Sequence, residues 1–296
     1  MRAPQRKLGL GRGVRVGFLG PAGTYSEEAL RASAPGDAEE VPYPTIPEAV
    51  MAVEAGEVDR SVVPIENALE GAVAVTLDTL ALEADGVRIV AEVVHPIHHC
   101  VVAARPLDLS EVTRVVSHPQ ATAQCARFLR ERLPHAELVI APSTADAVLS
   151  VRDAPEPAVA LGSRLAAELY GCRVLEADVE DHPDNATRFV WLAQAGEASE
   201  PASGKPARTS IVFWGGGDQA PGWLVDCLRE LSDRSVNLTR IESRPRRIAL
   251  GHYMFFADLD GAAGLPPVSE ALAALRARVE ELRVLGSYTI AGGASG

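Results

Sequence analysis

Short apolar strand patterns alternate with helical patterns through residues 14–194, and this alternation most constrains how the chain can fold. The first strand pattern is followed by a Gly-Pro-Ala-Gly turn and a helix start in which Thr24 and Glu27 have capping-box spacing. Thr45 and Glu48 repeat that spacing before a second helix. Further strand patterns lie at 61–65, 88–94, 99–103, 113–117, 137–141, 158–161 and 188–193. Together they predict an α/β domain with mostly parallel sheets.

A change in composition marks a second unit. Residues 195–207 are rich in Gly, Pro and Ser and poor in apolar side chains, which predicts a linker. Residues 208–291 then read as strand, helix, strand, strand, helix and strand. That order predicts a ferredoxin-like βαββαβ domain.

Charge and lysine usage exclude several classes of function. The formal net charge of -12 opposes binding to nucleic acid and to anionic membrane surfaces. Lys7 and Lys205 are the only lysines, and both stand in Gly/Pro/Ser-rich stretches. Schiff-base chemistry needs a desolvated lysine on a rigid element, so carbonyl or pyridoxal phosphate chemistry through lysine is not expected.

The location of the protein is predicted from two absences in the sequence. No run of about 18 uncharged apolar residues occurs, and residues 1–13 lack the apolar core of a secretory signal. The four cysteines are widely spaced without a Cys-x-x-Cys pair, which favours reduced thiols in protein cores. A cytoplasmic protein is therefore expected.

Residues 95–100, His-Pro-Ile-His-His-Cys, are the clearest candidate for a metal site. Strand alternation would place His95 and His99 on one face and His98 and Cys100 on the other, so at most two ligands converge. A metal is therefore not expected at these residues.

Polar clusters stand at the ends of four strand patterns: 20–26, 64–71, 117–120 and 185–189. In open α/β sheets, ligands collect beyond the carboxyl ends of strands, where helix N-termini present free N–H groups. The fourth cluster instead precedes its strand, so chain crossovers would have to bring it opposite the others. Each cluster alone is also explained by turn and cap chemistry, and His118 is interpreted as a helix cap.

These clusters carry a family resemblance. With Pro221-Gly222-Trp223-Leu224 and Glu242-Ser243-Arg244-Pro245, they occur in the order seen in prephenate dehydratase with a C-terminal ACT regulatory domain. The resemblance covers residues 14–291. It implies a two-lobed, periplasmic-binding-protein-like catalytic domain, with one lobe from 14–92 and 184–194 and the other from 93–183. Thr187 would then lie at the cleft, facing Ser117 and Glu66.

The resemblance implies the decarboxylating dehydration of prephenate to phenylpyruvate in L-phenylalanine biosynthesis, without a cofactor. Hydroxide is a poor leaving group without a proton or a strong hydrogen bond, and the matched position for that donor is Thr187. Ala68 stands where the family usually has serine. The other catalytic positions implied by the matched motifs are Glu66, Asn67, Ser117, Gln120, Arg188 and Phe189, and the substrate-binding positions are Thr24, Tyr25 and Ser26.

For the C-terminal domain, the resemblance implies L-phenylalanine as an allosteric effector and assembly into a homodimer or homotetramer. Trp223 replaces a small residue that is usual in the family, which leaves the sign and strength of regulation open. Arg240 and Arg246 are interpreted as solvated charges. The implied effector-binding residues are Pro221, Gly222, Trp223, Leu224, Asn237, Glu242, Ser243 and Arg244.

Three other functions remain open. Arogenate dehydratase differs only in the substrate amine, and no residue decides between the two substrates. A non-catalytic amino-acid-sensing protein on the same two lobes is a second alternative, although Thr187 with Glu66 and Ser117 favours an enzyme. A relative that decarboxylates prephenate without dehydration is the third.

Overall fold

The computed structural model describes residues 13–34, 36–154, 156–198, 201, 204–217 and 220–290. The strands of this part of the chain are β1 Arg15–Leu19, β2 Glu39–Tyr43, β3 Arg60–Asn67, β4 Gly71–Ala72, β5 Val87–Pro96, β6 Cys100–Ala103, β7 Arg114–Ser117, β8 Glu137–Ile140, β9 Ala158–Gly162, β10 Arg173–Glu176, β11 Ala186–Gln194, β12 Ala207–Trp214, β13 Leu238–Pro245, β14 Tyr253–Asp260 and β15 Glu281–Thr289. The α-helices are α1 Tyr25–Ser33, α2 Ile46–Glu54, α3 Ala74–Leu82, α4 Pro119–Gln124, α5 Ala126–Arg132, α6 Thr144–Arg152, α7 Arg164–Leu169, α8 Trp223–Ser232 and α9 Val268–Arg276.

Two sheets define two lobes, as the resemblance implied. The first lobe contains strands in the order β5-β11-β3-β1-β2, with β4 paired to β3, and the second lobe contains β10-β6-β9-β7-β8. The chain leaves the first lobe at the end of β5 and returns to it through β11. Strand β5 continues to Pro96, past the lobe boundary expected near residue 92.

The sheets are mixed, so the expectation of mostly parallel sheets is wrong. Strand β1 pairs in parallel with β2 and β3, but β11 is antiparallel to both β3 and β5. The second sheet likewise joins parallel pairs at β7 to antiparallel pairs at β6. Since β11 returns from the second lobe and inserts between β3 and β5, no helical crossover sets its direction.

Apolar runs in the central strands become the cores of the lobes. Strand β11 is buried on both faces, and its Phe189 and Trp191 pack with Phe18 against α1. Such a continuous apolar run is typical of a strand covered on both sides. The second lobe has a core of Val, Ala and Cys side chains, including Val102 and Val148.

The C-terminal domain has the predicted βαββαβ order, with its strands arranged β13-β14-β12-β15. Helices α8 and α9 cover one face of this sheet. The opposite face contributes Met254 and Phe256 to a core that also contains Leu77 and Leu80 of α3. The two domains therefore share an apolar core.

The two domains also share a sheet, because β15 pairs in parallel with β5 where Gly286 lies opposite Ile89. A β-carbon at Gly286 would lie 2.2 Å from the Ile89 carbonyl oxygen, so this close approach requires glycine. Residues 195–197 of the expected linker form a 3₁₀ turn, and the Ala195 N–H donates to the Gly86 carbonyl. This part of the expected linker is thus packed against the first lobe.

All four cysteines are free thiols; Cys100, Cys125 and Cys227 are buried as predicted, whereas Cys172 is half-buried. Lys205 is exposed, whereas Lys7 lies outside the described residues. Within the described ranges, every helix is too short or too polar to cross a bilayer.

Candidate active site

The centre of the candidate site is a side-chain pair on adjacent strands. Thr187 on β11 lies opposite Asn67 at the end of β3. The Asn67 Nδ2 amide donates to Thr187 Oγ1 over 2.9 Å, and both side chains are almost fully buried. The strand register therefore joins residues that are 120 positions apart in sequence.

The direction of this hydrogen bond follows from the other partners of Asn67. Its Oδ1 accepts from the backbone N–H groups of Leu69 and Glu70, both at 3.0 Å. Because those groups can only donate, the amide nitrogen must face Thr187. The Thr187 oxygen thus accepts from Asn67 and keeps its own proton for another acceptor.

Amide side chains extend the site across the cleft. Asn67 Nδ2 also donates to Asn185 Oδ1 at 3.0 Å, and Asn185 Nδ2 donates to Gln124 Oε1 at 3.1 Å. Gln124 ends α4 in the second lobe, and its own amide reaches Glu70 Oε1 at 3.5 Å. The two lobes are therefore connected directly beside Thr187.

His99 and Tyr25 complete this network. His99 Nε2 lies 3.0 Å from Gln124 Oε1, which is already fixed as an acceptor, so Nε2 carries a proton and donates. The Tyr25 hydroxyl lies 2.8 Å from both His99 Nδ1 and the His98 carbonyl oxygen. His99 is buried between β5 and β6, where the chain passes from the first lobe to the second.

Burial controls the protonation of both groups. It lowers the pKa of His99 below its usual value, against the opposing effects of Gln124 and Glu180, which favours a neutral ring. Burial, reinforced by the negative charge of Glu28, raises the pKa of Tyr25 well above its usual value. The pair is consequently a neutral imidazole and a neutral phenol.

The predicted residues after β7 occupy different environments. Ser117 is buried, and its hydroxyl donates to the Leu161 carbonyl at 3.0 Å. Gln120 is exposed, whereas Gln124 one helical turn later reaches the network. His118 caps α4 as expected, since its Nδ1 accepts from the Gln120 N–H. The sequence did not indicate Gln124 as a site residue, although Gln124 is four residues after Gln120 and therefore lies on the same side of the helix.

The expected capping box at α1 is wrong. The Thr24 hydroxyl donates to the Leu19 carbonyl at 2.7 Å, and Glu27 accepts from the Gly23 N–H instead. Gly23 has φ +88°, and a β-carbon there would lie 2.9 Å from Ala166 of α7. The start of α1 is thus packed against the second lobe, with Ser26 buried, and Tyr25 is the member of this cluster that joins the network.

Side chains next to Asn67 and Thr187 point away from them, because successive strand residues face opposite sides. The Glu66 carboxylate accepts from Arg188 at 2.8 Å, so the expectation that it faces Thr187 is wrong. Phe189 is buried in the core of the first lobe. Ala68 is exposed, and its N–H donates to the Ala186 carbonyl.

The histidines of residues 95–100 contact separate groups. His95 Nε2 lies 2.9 Å from Glu28, while His98 Nδ1 lies 2.7 Å from Glu180. Among the described residues, His98, Asp178 and Glu180 bring potential metal-ligand atoms within 4.8 Å of one another. Glu180 already binds His98 and the His99 N–H, so these contacts account for its position.

The first predicted effector motif borders a cavity of about 200 Å³ in the C-terminal domain. The Trp223 ring packs on Phe255 at a centroid distance of 5.9 Å, and its indole N–H donates to the Arg278 carbonyl. The described residues that line the cavity are Ala220, Gly222, Trp223, Leu224, Val225, Gly251, Tyr253 and Phe255. Pro221 lies in the turn immediately before α8.

The other predicted effector residues contact different partners. Asn237 donates to Asp260 at 2.7 Å, and Ser243 is exposed on the edge strand β13 with Glu242 half-buried beside it. Arg244 donates to Asp78 of α3 at 2.8 Å, so it connects the C-terminal domain to the first lobe.

Arg240 and Arg246 were both expected to carry solvated charges, and this expectation is wrong for Arg240. Arg240 Nε donates to the buried Asp258 at 2.9 Å. The Arg246 guanidinium lies 5.3 Å from the centroid of the Trp214 ring.

Comparison with known proteins decides the family. The prephenate dehydratase family model matches residues 16–197. The chain belongs to the prephenate dehydratase family. It is 39% identical over 279 residues to the prephenate dehydratase of Amycolatopsis methanolica, covering 94% of this chain and 90% of the relative.

Solved structures of similar proteins agree with the fold. A prephenate dehydratase from Arthrobacter aurescens in complex with L-Phe has a TM-score of 0.85 and 38% identity, over 93% of this chain and 90% of that one. GqqA, described as a novel type of quorum quenching acylase, has a TM-score of 0.83 and 31% identity, over 93% and 98% of the two chains. The family and fold implied by the sequence motifs are thus confirmed.

Proposed function

We propose that this member of the prephenate dehydratase family uses the Thr187 hydroxyl to assist loss of the ring hydroxyl of prephenate. The observation that carries this role is the fixed amide of Asn67, which donates to Thr187 and leaves the threonine proton without an acceptor among the described residues. A positioned donor of this kind stabilises a leaving oxygen as negative charge develops on it.

The reaction balances without an added reagent. As the bond to the ring carboxylate breaks, carbon dioxide leaves and its bonding electrons enter the ring. The bond to the ring hydroxyl breaks with its electron pair on the oxygen, which takes a proton that comes ultimately from solvent and leaves as water. Aromatisation supplies the driving force, so the hydroxyl of Thr187 needs only to donate a hydrogen bond or relay a proton.

The amide network orients the donor. Asn67 contacts Thr187 directly, while Asn185, Gln124 and His99 hold Asn67 and connect it to the second lobe. The network therefore bridges the two lobes beside Thr187. Ser117 remains a proposed contributor to the wall of the cleft, whereas Gln120 is exposed and is not part of the proposed machinery.

Replacement of the hydroxyl tests this assignment. Thr187→Val should reduce phenylpyruvate formation from prephenate by about 10²–10⁴-fold, the usual contribution of a positioned proton donor, and Thr187→Ser should be milder. Thr289→Val, the same change at an exposed position, should leave turnover unchanged. Normal turnover by Thr187→Val would refute the role. Chelator should not affect the rate.

Arogenate dehydration is the alternative within the same chemistry. The two substrates differ in an amine or keto group, and the residues around Thr187 do not select between them. Parallel assays with prephenate and arogenate at equal concentration would determine the preference. Binding of prephenate without product would instead support a sensor.

We further propose that the cavity beside Trp223 binds L-phenylalanine and that the ACT-like domain thereby regulates the reaction. We also propose that the protein is a cytoplasmic homo-oligomer. The related Arthrobacter aurescens protein was crystallised with L-Phe. Since Trp223 fills space beside Phe255, Trp223→Ala should change the response of the full chain to L-phenylalanine. An unchanged response would contradict a binding role for this cavity.

A further inference from the structure

Six charged side chains meet where the catalytic lobe contacts the C-terminal domain. Three are cationic and three anionic, and we refer to them as the interdomain charge cluster. Its members are Glu66, Glu92, Arg188, Arg208, Arg240 and Asp258.

Arg188 is the centre of the interdomain charge cluster. Its Nη2 atom donates to Asp258 Oδ2 at 2.7 Å and to Glu66 Oε2 at 2.8 Å, and Nη1 donates to Glu92 Oε2 at 3.3 Å. Asp258 belongs to β14 of the C-terminal domain, so one guanidinium is bound by carboxylates of both domains.

Asp258 is the most enclosed carboxylate of the cluster. It is 1% exposed and accepts from Arg240 Nε at 2.9 Å and from Ser210 Oγ at 2.6 Å, in addition to Arg188. Burial opposes ionisation, but attraction to Arg240 and Arg188 outweighs it and lowers the pKa of Asp258 to about 2. Asp258 is therefore a fixed negative charge that holds Arg188.

Arg188 follows Thr187 on β11, so its anchoring also constrains the proposed proton donor. The two side chains face opposite sides of the strand, one toward the C-terminal domain and one toward Asn67. A shift of the Arg188 side chain would turn the peptide between them. Rotation of the strand at this point would move Thr187 Oγ1 away from Asn67.

Strand β14 also connects Asp258 to the cavity of the C-terminal domain. Tyr253 and Phe255 line the cavity, and Asp258 is three residues beyond Phe255 on the same strand. At about 3.3 Å per residue, this separation is about 10 Å. A packed strand is a rigid element that can carry a displacement over such a distance.

We propose that Asp258 is a positioning residue for the dehydration, which holds Thr187 through Arg188 and transmits occupancy of the Trp223 cavity to the active site. This inference rests on the proposed role of Thr187. It makes the C-terminal domain part of the machinery that orients the reacting groups.

The first test is Asp258→Asn, with Asp233→Asn at an exposed site in the same domain as its control. Loss of the charge should lower kcat about 10–100-fold, the effect of a small misplacement of a catalytic group, while KM changes little. Asp233→Asn should match the unmodified protein. Equal kcat in the two variants would overturn the proposal.

A double-mutant cycle separates positioning from general damage. In a Thr187→Val background no donor is left to position, so adding Asp258→Asn should cause no further loss of kcat. A further loss equal to that of the single variant would show that Asp258 acts by another route. If Thr187→Val itself keeps full activity, the proposed function fails independently of Asp258.

Ser210→Ala is a milder variant if Asp258→Asn does not fold. It removes one hydrogen bond to Asp258 and leaves every charge of the cluster in place. It should lower kcat severalfold and weaken the effect of L-phenylalanine on the full chain. A folded Ser210→Ala protein with normal kcat and a normal response would overturn the proposal.

Discussion

Because Asn67 donates its hydrogen bond to Thr187, we expect Asn67→Asp to lower kcat more than Asn67→Ala does. Asn67→Asp keeps the shape of the side chain and an oxygen for the Leu69 and Glu70 N–H groups. It replaces the donor to Thr187 by a carboxylate oxygen, which can only accept when ionised. The Thr187 hydroxyl should then turn and donate its hydrogen bond to this carboxylate.

The two substitutions should differ in magnitude. A hydrogen bond to a charged group contributes about 1.5–3 kcal/mol, which the substrate would have to displace, so Asn67→Asp should lower kcat about 10- to 100-fold. Asn67→Ala removes a neutral hydrogen bond of about 0.5–1.5 kcal/mol and leaves the threonine proton free, which predicts a loss of about 2- to 10-fold. The isosteric change should therefore be the more harmful one.

Initial rates of phenylpyruvate formation would measure the difference, with thermal unfolding to show that both variants fold. If Asn67 served mainly to hold the turn at Leu69 and Glu70, Asn67→Asp would be nearly normal and Asn67→Ala would be worse. That order of activities would refute the assigned direction of the hydrogen bond.

The remaining predictions concern the cleft and the domain contact. Gln124→Ala should reduce kcat about tenfold by breaking the network beside Thr187, whereas Gln120→Ala at an exposed position should not, as steady-state assays would show. The pKa of Asp258 lies below its usual 3.8, so the ionised carboxylate stabilises the fold above pH 4, and about 2 kcal/mol of this stabilisation is lost as the pH falls toward 2. Between pH 4 and pH 2, the free energy of unfolding of Asp258→Asn should therefore depend less steeply on pH than that of the unmodified protein. Asp78→Asn should lower the free energy of unfolding by about 1.5–3 kcal/mol, measurable in urea, because Arg244 loses its charged partner.

Short sequence patterns predicted helix starts and strands correctly where tertiary contacts did not impose a different local structure. The cap at Thr45 formed as expected, since its Oγ1 accepts from the Glu48 N–H. The strand at β2 was missed because it is an exposed edge strand that contains glutamate and proline. The box at Thr24 failed because contacts with α7 determine the start of α1.

The sequence predicted which residues belong to the candidate site but not the directions in which their side chains point. Thr187 and Asn67 lie together as the motifs implied, but Glu66 and Arg188 face the C-terminal domain. Alternation along a strand could have separated Thr187 from Arg188, yet nothing in the sequence indicates which face borders the cleft. The partners of Asn67 lie 118 and 120 residues away and depend on the register of β11.

The sequence by itself determined the alternation of strands and helices, the βαββαβ unit and the family, and it indicated Thr187 as the position to test. These follow from periodicity and from short motifs, which are local properties of the chain. Only the tertiary structure decided that β11 returns between β3 and β5, that Gln124 and not Gln120 reaches the cleft, and that Asp258 binds Arg188. Those contacts depend on how strands pair and lobes close, because burial and charge balance are set by distant residues acting together.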